Sequence, residues 1–353
     1  MKVLHVITSL RTGGAEKLMV DLLPRFRSMG VKTDLCVFDG ARTPFYEELE
    51  AKGIKIIPLG KNVYSPMNAV RLMRLMKKYD VVHSHNTACQ YYVALAGFFT
   101  SCKLFTTEHN ATNRRRCTVW KVVDRWMYGQ YDKVVCISEQ VRDNLLRHIG
   151  DDFCNKCVLI YNGIDLEHFV NKGVCEEMEH EHKIIIMVSA FRIQKDQKTL
   201  IKAIAIMPEN YQLLLVGGGE GVLIEECKSL VKELTMDYRV KFMGVRMDVV
   251  ALLQRADVAV MSSHYEGFSL SSVEAMACGK PLIASDVDGL REIVGGYGVL
   301  FPHGNHESLA SSIKCLCEDE AYRAEVVSRC VARANMFDIN MMADKYMNLY
   351  YAL

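Results

Sequence analysis

Strand and helix patterns alternate along nearly the whole chain, and this alternation restricts the fold more than any other feature of the sequence. Six strand-like runs occupy the first half: VLHVIT (3–8), TDLCVF (33–38), KIIPL (55–59), VVHSH (81–85), KLFTTEH (103–109) and KVVCIS (133–138). Helical patterns separate them, as in residues 15–29, where Leu18, Leu22 and Phe26 share one face. Apolar strands that alternate with helices predict a parallel sheet covered on both faces.

The same pattern restarts after a polar break. The segment YNGIDLEHF (161–169) carries turn residues, and residues 170–183 are charged and lack periodicity. Five further runs follow: KIIIMVS (183–189), QLLLVG (212–217), VKFMG (240–244), VAVMSS (258–263) and PLIAS (281–285). We therefore predict an α/β protein of two doubly wound, Rossmann-like lobes, residues 1–165 and 166–353. A ligand is expected where the carboxyl ends of both sheets face a shared cleft.

The last segment, residues 334–353, is amphipathic. Its candidate buried positions are Met341, Tyr346, Leu349 and Tyr350. We expect a helix that caps the second lobe or, over about 336–353, crosses back to the first lobe.

Composition excludes several classes of protein. With 43 Lys+Arg and 42 Asp+Glu the formal charge is +1, which argues against a dedicated nucleic-acid binder. Half of the residues are apolar and 24% are charged, which excludes a disordered chain. The 13 cysteines are odd in number and scattered, which favours a reducing cytoplasm over a disulfide framework. No run approaches the roughly 20 apolar residues of a membrane span, and we interpret the N-terminal run as a strand, not a signal peptide.

Two glycines and three histidines follow strands of the first half. Gly13 and Gly14 open a helix, where free N–H groups suit an anion; an ordinary tight turn is the alternative. His83 and His85 end one candidate strand and His109 ends the next, at the edge where α/β proteins bind ligands. The sequence places no third metal ligand beside the HSH pair, so we expect no metal there, and plain packing is the alternative for each histidine.

The segment 264–286 carries two glutamates, Glu266 and Glu274, after a strand. We expect Ser271 or Ser272 to cap a short helix, with Glu266 in the preceding loop and Glu274 in the first turn. A diphosphate there would meet the helix dipole and three peptide N–H groups, those of Phe268, Ser269 and Leu270. Three cations in RIQKDQK (192–198) can also neutralise a diphosphate, although such a run is more often a solvated helix start.

Together these motifs resemble a retaining glycosyltransferase of family 4 with the GT-B fold. The resemblance covers nearly the whole chain and rests on TGGAE (12–16), TTEHN (106–110), NGIDLEHF (162–169), QKD (194–196), LVGGGE (215–220), ADVAVMSS (256–263), EGFSLSSVEAMACGKPLIASD (266–286) and GLREIV (289–294). The E-x7-E spacing that follows GGGE and an ADV strand is the most specific part of the match.

The resemblance implies a role for each matching position. His109 approaches the transferred sugar, Lys195 pairs with the diphosphate, and Glu266 contacts hydroxyls of the donor sugar. Glu274 accepts hydrogen bonds from the ribose. The remaining donor-binding positions lie in the loops under the phosphates and beside the nucleotide: Gly13, Gly14, Gly217, Gly218, Gly219, Gly267, Phe268, Ser269 and Leu270.

One position lacks a residue that the family commonly has, and a second segment resembles the metal-binding motif of another architecture. Ala190 stands where the family commonly has an Arg, five residues before Lys195, and Arg192 is the candidate substitute. Asp286 and Asp288 form a DxD sequence, which is the metal-binding motif of another glycosyltransferase architecture. Because it lies in the loop before GLREIV, we expect no metal and no other cofactor.

The implied reaction moves a sugar from a UDP- or GDP-sugar to a glycan or lipid-linked acceptor with retention at the anomeric carbon, in cell-surface polysaccharide synthesis. Front-side attack is favoured, with the leaving diphosphate accepting the acceptor's proton. The basic, aromatic segment 113–133 and the stretch 70–80 suit an anionic membrane; a solvated helix with inward Trp120 and Trp126 is the equal alternative. We thus expect a cytoplasmic enzyme, peripheral on the inner face if the membrane interpretation holds.

Two other functions remain open at this level. One is a nucleotide-sugar epimerase with the GT-B fold, which would turn over its donor without an acceptor. The other is a non-catalytic sugar-nucleotide-binding protein in which Ala190 marks lost activity.

Overall fold

The computed structural model describes residues 1–11, 13–60, 63–85, 87–110, 118–170 and 182–352. The chain forms two compact units: the first comprises Met1–Ile164 and Ile339–Leu353, and the second comprises Asp165–Asp338. The sequence had placed the boundary between residues 165 and 166. Most of the charged segment 170–183, residues 171–181, lies outside the described residues.

The first unit contains a seven-stranded parallel sheet in the order β3-β2-β1-β4-β5-β6-β7. Its strands are β1 (Lys2–Ile7), β2 (Lys32–Asp39), β3 (Lys55–Gly60), β4 (Val81–Ser84), β5 (Lys103–Glu108), β6 (Lys133–Cys136) and β7 (Cys157–Leu159). Its crossover helices are α1 (Gly14–Ser28), α2 (Pro44–Ala51), α3 (Met67–Met76), α4 (Thr87–Gly97), α5 (Thr118–Gly129) and α6 (Glu139–Ile149). The central strands are almost wholly buried, as their continuous apolar runs predict.

The second unit repeats this plan with six parallel strands in the order β10-β9-β8-β11-β12-β13. Its strands are β8 (Lys183–Val188), β9 (Tyr211–Val216), β10 (Val240–Gly244), β11 (Val258–Met261), β12 (Leu282–Ser285) and β13 (Val299–Phe301). Its helices are α7 (Leu166–Val170), α8 (Gln197–Ala205), α9 (Gly221–Glu233), α10 (Val249–Arg255), α11 (Leu270–Ala277), α12 (Asp288–Val294), α13 (His306–Glu318) and α14 (Glu320–Ala334).

Both sheets are doubly wound, which confirms the predicted fold class of two Rossmann-like α/β lobes. In each sheet the strand order reverses direction once, between β1 and β4 in the first unit and between β8 and β11 in the second. Ligands of open α/β sheets bind at such reversals, outside the carboxyl ends of the strands. The two reversals are therefore the places to examine for a functional site.

Two strands were missed by the sequence prediction. Both β7 and β13 are three residues long and stand at the end of their sheet. An edge strand pairs along one side only, and a strand of three residues is too short to show a clear apolar run. Both strands therefore leave a weak signal in the sequence.

The C-terminal segment returns to the first unit. A 3₁₀ turn at Asn335–Phe337 breaks the expected single helix, and a last helix, α15 (Ile339–Tyr351), packs against α1. Tyr346 and Tyr350 are buried there as predicted, at 1% and 4% exposure. Met341 was predicted to be buried and is 48% exposed; its neighbour Met342 takes the core position, because one residue along a helix turns the side chain by about 100°.

Replacing Tyr346 by Ala should lower the free energy of unfolding by about 3–5 kcal/mol, because the change empties a large site in a closed core. Met341→Ala in the same helix should change it by less than about 0.5 kcal/mol. Urea unfolding followed by circular dichroism measures both. Equal effects of the two substitutions would contradict the burial of this face of α15.

Candidate functional site

Four imidazoles gather at the strand reversal of the first unit. His5 lies on β1, His83 on β4, His85 just after β4, and His109 just after β5. The His83 and His85 rings stack with centroids 4.3 Å apart, and His5 stacks on His85 at 5.1 Å. His5 Nδ1 lies 2.9 Å from His85 Nε2, and His85 Nδ1 lies 3.4 Å from His109 Nε2. The structure thus brings the three predicted histidines together and adds a fourth, His5.

A second set of hydrogen bonds ties His83 to the returning helix α15. Its Nδ1 contacts the Tyr350 hydroxyl, and its Nε2 lies 2.8 Å from Thr107 Oγ1. Thr107 Oγ1 is in turn 3.0 Å from the Tyr346 hydroxyl. All four side chains are buried, so α15 helps to hold His83 and Thr107 in place through polar contacts as well as apolar ones.

Burial keeps these imidazoles neutral. It lowers the pKa of His5 to about 3 and the pKa of His109 to about 4. Burial also lowers the pKa of His83 and of His85 well below the ordinary range, and the neighbouring imidazoles add to that shift. Near pH 7 each ring therefore carries one N–H and one lone pair.

The histidine cluster does not suit a metal ion, although nitrogens of His5, His83 and His85 lie within 4.8 Å of one another. The three ring planes are inclined by only 16–28° to each other. His83 stacks on His85, and both nitrogens of His83 are engaged by Tyr350 and Thr107, so three lone pairs do not converge on one ion.

Gly13 and Gly14 stand where the sequence analysis expected them. The helix α1 begins at Gly14, and Gly13 precedes it with an extended backbone. The first N–H groups of α1 are therefore available at the carboxyl end of β1, although Glu16 already places a carboxylate in that turn. Thr12, of the TGGAE motif, lies outside the described residues.

In the second unit the loops after β8, β9 and β11 are hydrogen-bonded to one another. Phe191 N donates to Gly218 O at 2.8 Å, and Glu220 N donates to Phe191 O at 2.9 Å. On the other side, Asp196 N donates to Ser262 O and His264 N donates to Gln194 O. These bonds hold the QKD segment against the start of the EGF segment, which matches the predicted convergence at this strand reversal.

Lys195 and Glu266 form an ion pair at the centre of this loop cluster. Lys195 Nζ donates to Glu266 Oε2, and the two side chains are 9% and 11% exposed. The Nζ atom also lies 3.4 Å from the sulfur of Met261 at the end of β11. Two predicted site residues that are 71 positions apart are thus in direct contact, and a mostly buried ammonium stands at the edge where a ligand is expected.

The glycine run after β9 is required by close packing. Gly217 and Gly219 have φ of +144° and +153°, which side-chain-bearing residues rarely adopt. A Cβ on Gly217 would lie 2.2 Å from Ser189 O, and one on Gly219 would lie 2.3 Å from Phe191 O. These glycines let two loops meet backbone to backbone, which is a structural reason for the motif beside its expected nucleotide contact.

The prediction for the helix after Glu266, α11, was wrong in two details. Its N-cap is Ser269, whose Oγ accepts from Ser272 N at 3.3 Å, so neither Ser271 nor Ser272 is the cap. Glu274 is consequently the fifth residue of α11 and lies in the second turn, not the first. Gly267 and Phe268 precede the cap, and the Phe268 ring packs 5.3 Å from Phe337. The loop that carries Glu266 leads directly into α11, and the contact of the Phe268, Ser269 and Leu270 N–H groups with a diphosphate stays a prediction.

The structure also describes the surroundings of Ala190, where the family Arg is missing, and of the DxD sequence at Asp286 and Asp288. Phe191, next to Ala190, is 2% exposed and stacks on Phe242. Arg192 is exposed, so its role as a substitute for the family Arg stays a prediction. Asp286 and Asp288 are ion-paired to Arg291 at 2.6 and 3.0 Å, and the expectation that they bind no metal stays a prediction.

Sequence reasoning missed one further cluster in the second unit. Ligand atoms of Asp196, His264 and His303 lie within 4.8 Å of one another. Asp196 already caps α8 by accepting from Thr199 N, and His264 Nδ1 is 2.8 Å from His303 Nε2. Asp196 is thus engaged by α8 and the two imidazoles contact each other, and no spacing in the sequence links the three positions.

The basic, aromatic segment is only partly described, since residues 113–117 lie outside the described part. On α5 the side chains of Trp120, Val122 and Trp126 are 41%, 73% and 43% exposed. We call these three residues the α5 surface. The tryptophans are thus not packed fully inward, which was one of the two alternatives. In the part of the chain that the structure describes, no helix has both the length and the apolar character needed to cross a membrane.

Stability should fall as the pH drops from 6.5 toward 4. The unfolded chain protonates its histidines near 6.5, whereas the folded His5 and His109 resist protonation until about 3 and 4. Each such group therefore removes about 1.4 kcal/mol per pH unit within that window. Urea unfolding at a series of pH values measures the slope.

The matched substitutions are His5→Asn, which should lessen the slope, and His264→Asn at an exposed position, which should not. If both variants keep the wild-type slope, the burial of His5 does not control the acid sensitivity.

Comparison with known proteins agrees with this geometry. Residues 12–168 match the model of Glycosyltransferase Family 4, and residues 176–332 match that of Glycosyl transferases group 1. A solved structure of Anabaena HepE in complex with UDP and glucose has a TM-score of 0.86 to this chain at 23% identity, over 100% of both chains. The likeness to a solved structure at this identity shows the fold.

Two curated relatives are named for undecaprenyl-linked substrates. One is the N-acetylgalactosamine-N,N'-diacetylbacillosaminyl-diphospho-undecaprenol 4-alpha-N-acetylgalactosaminyltransferase of Campylobacter jejuni, 25% identical over 94% of each chain. The other is the UDP-Gal:alpha-D-GlcNAc-diphosphoundecaprenol alpha-1,3-galactosyltransferase of Escherichia coli, 24% identical over 83% of this chain and 80% of that one. The two family models together span most of the sequence, and the fold is that of GT-B enzymes: the chain belongs to the family 4 glycosyltransferases.

Proposed function

We propose that this glycosyltransferase transfers a sugar from a nucleotide diphosphosugar to a lipid-linked acceptor during cell-surface polysaccharide synthesis. The Lys195–Glu266 pair at the β8–β11 reversal carries the proposal. A mostly buried ammonium beside the peptide N–H groups at the start of α11 suits a diphosphate. The names of the Campylobacter and Escherichia relatives favour a diphosphoundecaprenol-linked acceptor, and UDP in the Anabaena neighbour makes a UDP-sugar the first donor to test.

The proposed reaction retains the anomeric configuration. The bond between the anomeric carbon and the diphosphate oxygen breaks, and the acceptor oxygen bonds to that carbon on the same face. The acceptor's proton passes to the departing phosphate oxygen. Lys195 and the N–H groups of α11 stabilise the negative charge that develops, so turnover should need no metal and should persist in EDTA.

Glu266 links the two halves of the donor in this scheme. In the ligand-free protein it is the partner of Lys195, and in the complex it is free to accept hydrogen bonds from sugar hydroxyls while the ammonium turns to the diphosphate. Glu274, one turn further into α11 than the sequence suggested, is proposed to bind the ribose. Family membership favours transfer over the epimerase and binding-protein alternatives.

Lys195→Ala should lower turnover by about 10²–10³-fold, because it removes the cation that meets the leaving group. Glu274→Ala should chiefly raise the KM for the donor. Lys198→Ala, on an exposed lysine paired with Glu226, is the matched control and should leave the rate near that of the wild type.

Initial rates with UDP-sugars and a diphosphoundecaprenol-linked acceptor measure these changes, and proton NMR of the product reports the anomeric configuration. A second arm without acceptor separates transfer from epimerisation. Near-normal turnover of Lys195→Ala, or complete donor turnover without acceptor, would contradict the proposal.

We further propose that the enzyme is cytoplasmic and touches the inner face of the membrane through the α5 surface. The chain has two tryptophans, and both lie on this surface, so tryptophan fluorescence reports on it alone. Vesicles that contain anionic lipid should shift the emission to shorter wavelength, and zwitterionic vesicles should do so less.

Val122→Asp should weaken this shift, because it places a charge on the apolar surface. Val222→Asp, on α9 at 72% exposure against 73% for Val122, is the control and should not weaken it. The membrane proposal fails if the two variants bind anionic vesicles equally.

A further inference from the structure

Three imidazoles of the first unit form a row that leads from the core to His109. His5 and His85 are 0% and 1% exposed, whereas His109 is partly exposed at the carboxyl edge of the sheet. His5 Nδ1 is 2.9 Å from His85 Nε2, and the other nitrogen of His85 is 3.4 Å from His109 Nε2. Each neutral ring has one N–H and one lone pair, so the N–H groups along this row must all donate in the same direction.

The inner end of the row selects that direction. His5 Nε2 is buried and has no hydrogen-bond partner among the described residues. A proton on that atom would leave a buried donor unpaired, whereas a bare lone pair leaves only an unused acceptor, and folded proteins tolerate the second more readily. His5 therefore holds its proton on Nδ1 and donates it to His85 Nε2. His85 then holds its own proton on Nδ1 and donates it to His109 Nε2.

We propose that His5 and His85 are positioning residues that fix His109 in its Nδ1–H tautomer. The Nε2 lone pair of His109 is engaged by His85, and the Nδ1–H group is the donor that remains for a ligand. This inference rests on the proposed function only in the expectation, from the family resemblance, that His109 lies near the transferred sugar.

The tautomer decides what His109 can do in the reaction. A neutral ring whose lone pair already accepts from His85 cannot take a proton from the acceptor hydroxyl. It can donate a hydrogen bond from Nδ1 to an oxygen of the sugar, which orients the donor. The proton of the acceptor must then go elsewhere, in agreement with the proposed transfer to the leaving diphosphate.

Long-range proton–nitrogen NMR of the intact, ligand-free protein labelled with ¹⁵N-histidine tests the inference without any activity measurement. Protonated and unprotonated ring nitrogens resonate in separate ranges, and single substitutions assign the signals. We expect His5, His85 and His109 all to carry the proton on Nδ1. A proton on Nε2 of His109 in the wild type overturns the inference.

Two substitutions at His5 separate positioning from packing. His5→Phe keeps a flat ring in the stack but removes the donor, so the His109 signals should move toward a mixture of tautomers and kcat should fall about tenfold with an unchanged donor KM. His5→Asn keeps an N–H donor near the position of Nδ1 and should restore the His109 tautomer and most of the turnover.

An unchanged His109 tautomer in His5→Phe contradicts the inference. The expected role of His109 beside the sugar fails separately, if His109→Ala retains wild-type turnover while the wild-type tautomers are as expected.

Discussion

In a parallel sheet every strand brings its carboxyl end to the same edge, and the residue cluster of each unit depends on that constraint. Where the strand order reverses, the two following connections leave in opposite directions and open a gap at this edge. The first unit fills its gap with residues from β1, β4 and β5, and the second with loops after β8, β9 and β11. Residues far apart in sequence, such as His5 and His85 or Lys195 and Glu266, become neighbours for this reason.

The two edges use different electrostatics. In the first unit three buried imidazoles and the partly exposed His109 are kept neutral by desolvation, so they can act as hydrogen-bonding groups. In the second unit an ammonium and a carboxylate stay paired at low exposure, so the edge carries formal charge. Neutral donors and acceptors suit sugar hydroxyls, whereas an ammonium suits a phosphate leaving group.

The sequence predicted the two sheets well because most strands are short, largely apolar runs separated by helical patterns. The sequence-based prediction failed where a contact with a residue distant in sequence determines the structure, or where neighbouring residues of the same type could each take one position. Ser269, Ser271 and Ser272 can all cap a helix, and the loop from β11 selects Ser269, which shifts Glu274 by a turn. Met341 and Met342 are chemically identical, and only packing against the first unit distinguishes them. His5 sits inside an apolar strand, and its partner lies 80 residues later, so no local pattern marks it.

The return of α15 to the first unit has a consequence for biosynthesis. Residues 1–164 are made before the second unit, yet the groups that close their core and bond to His83 and Thr107 lie on α15, which follows the second unit in sequence. The second unit is continuous in sequence and meets no such delay. The core of the first unit therefore cannot be completed until the second unit has been translated. This order is the reverse of the usual one, in which N-terminal domains fold first during synthesis.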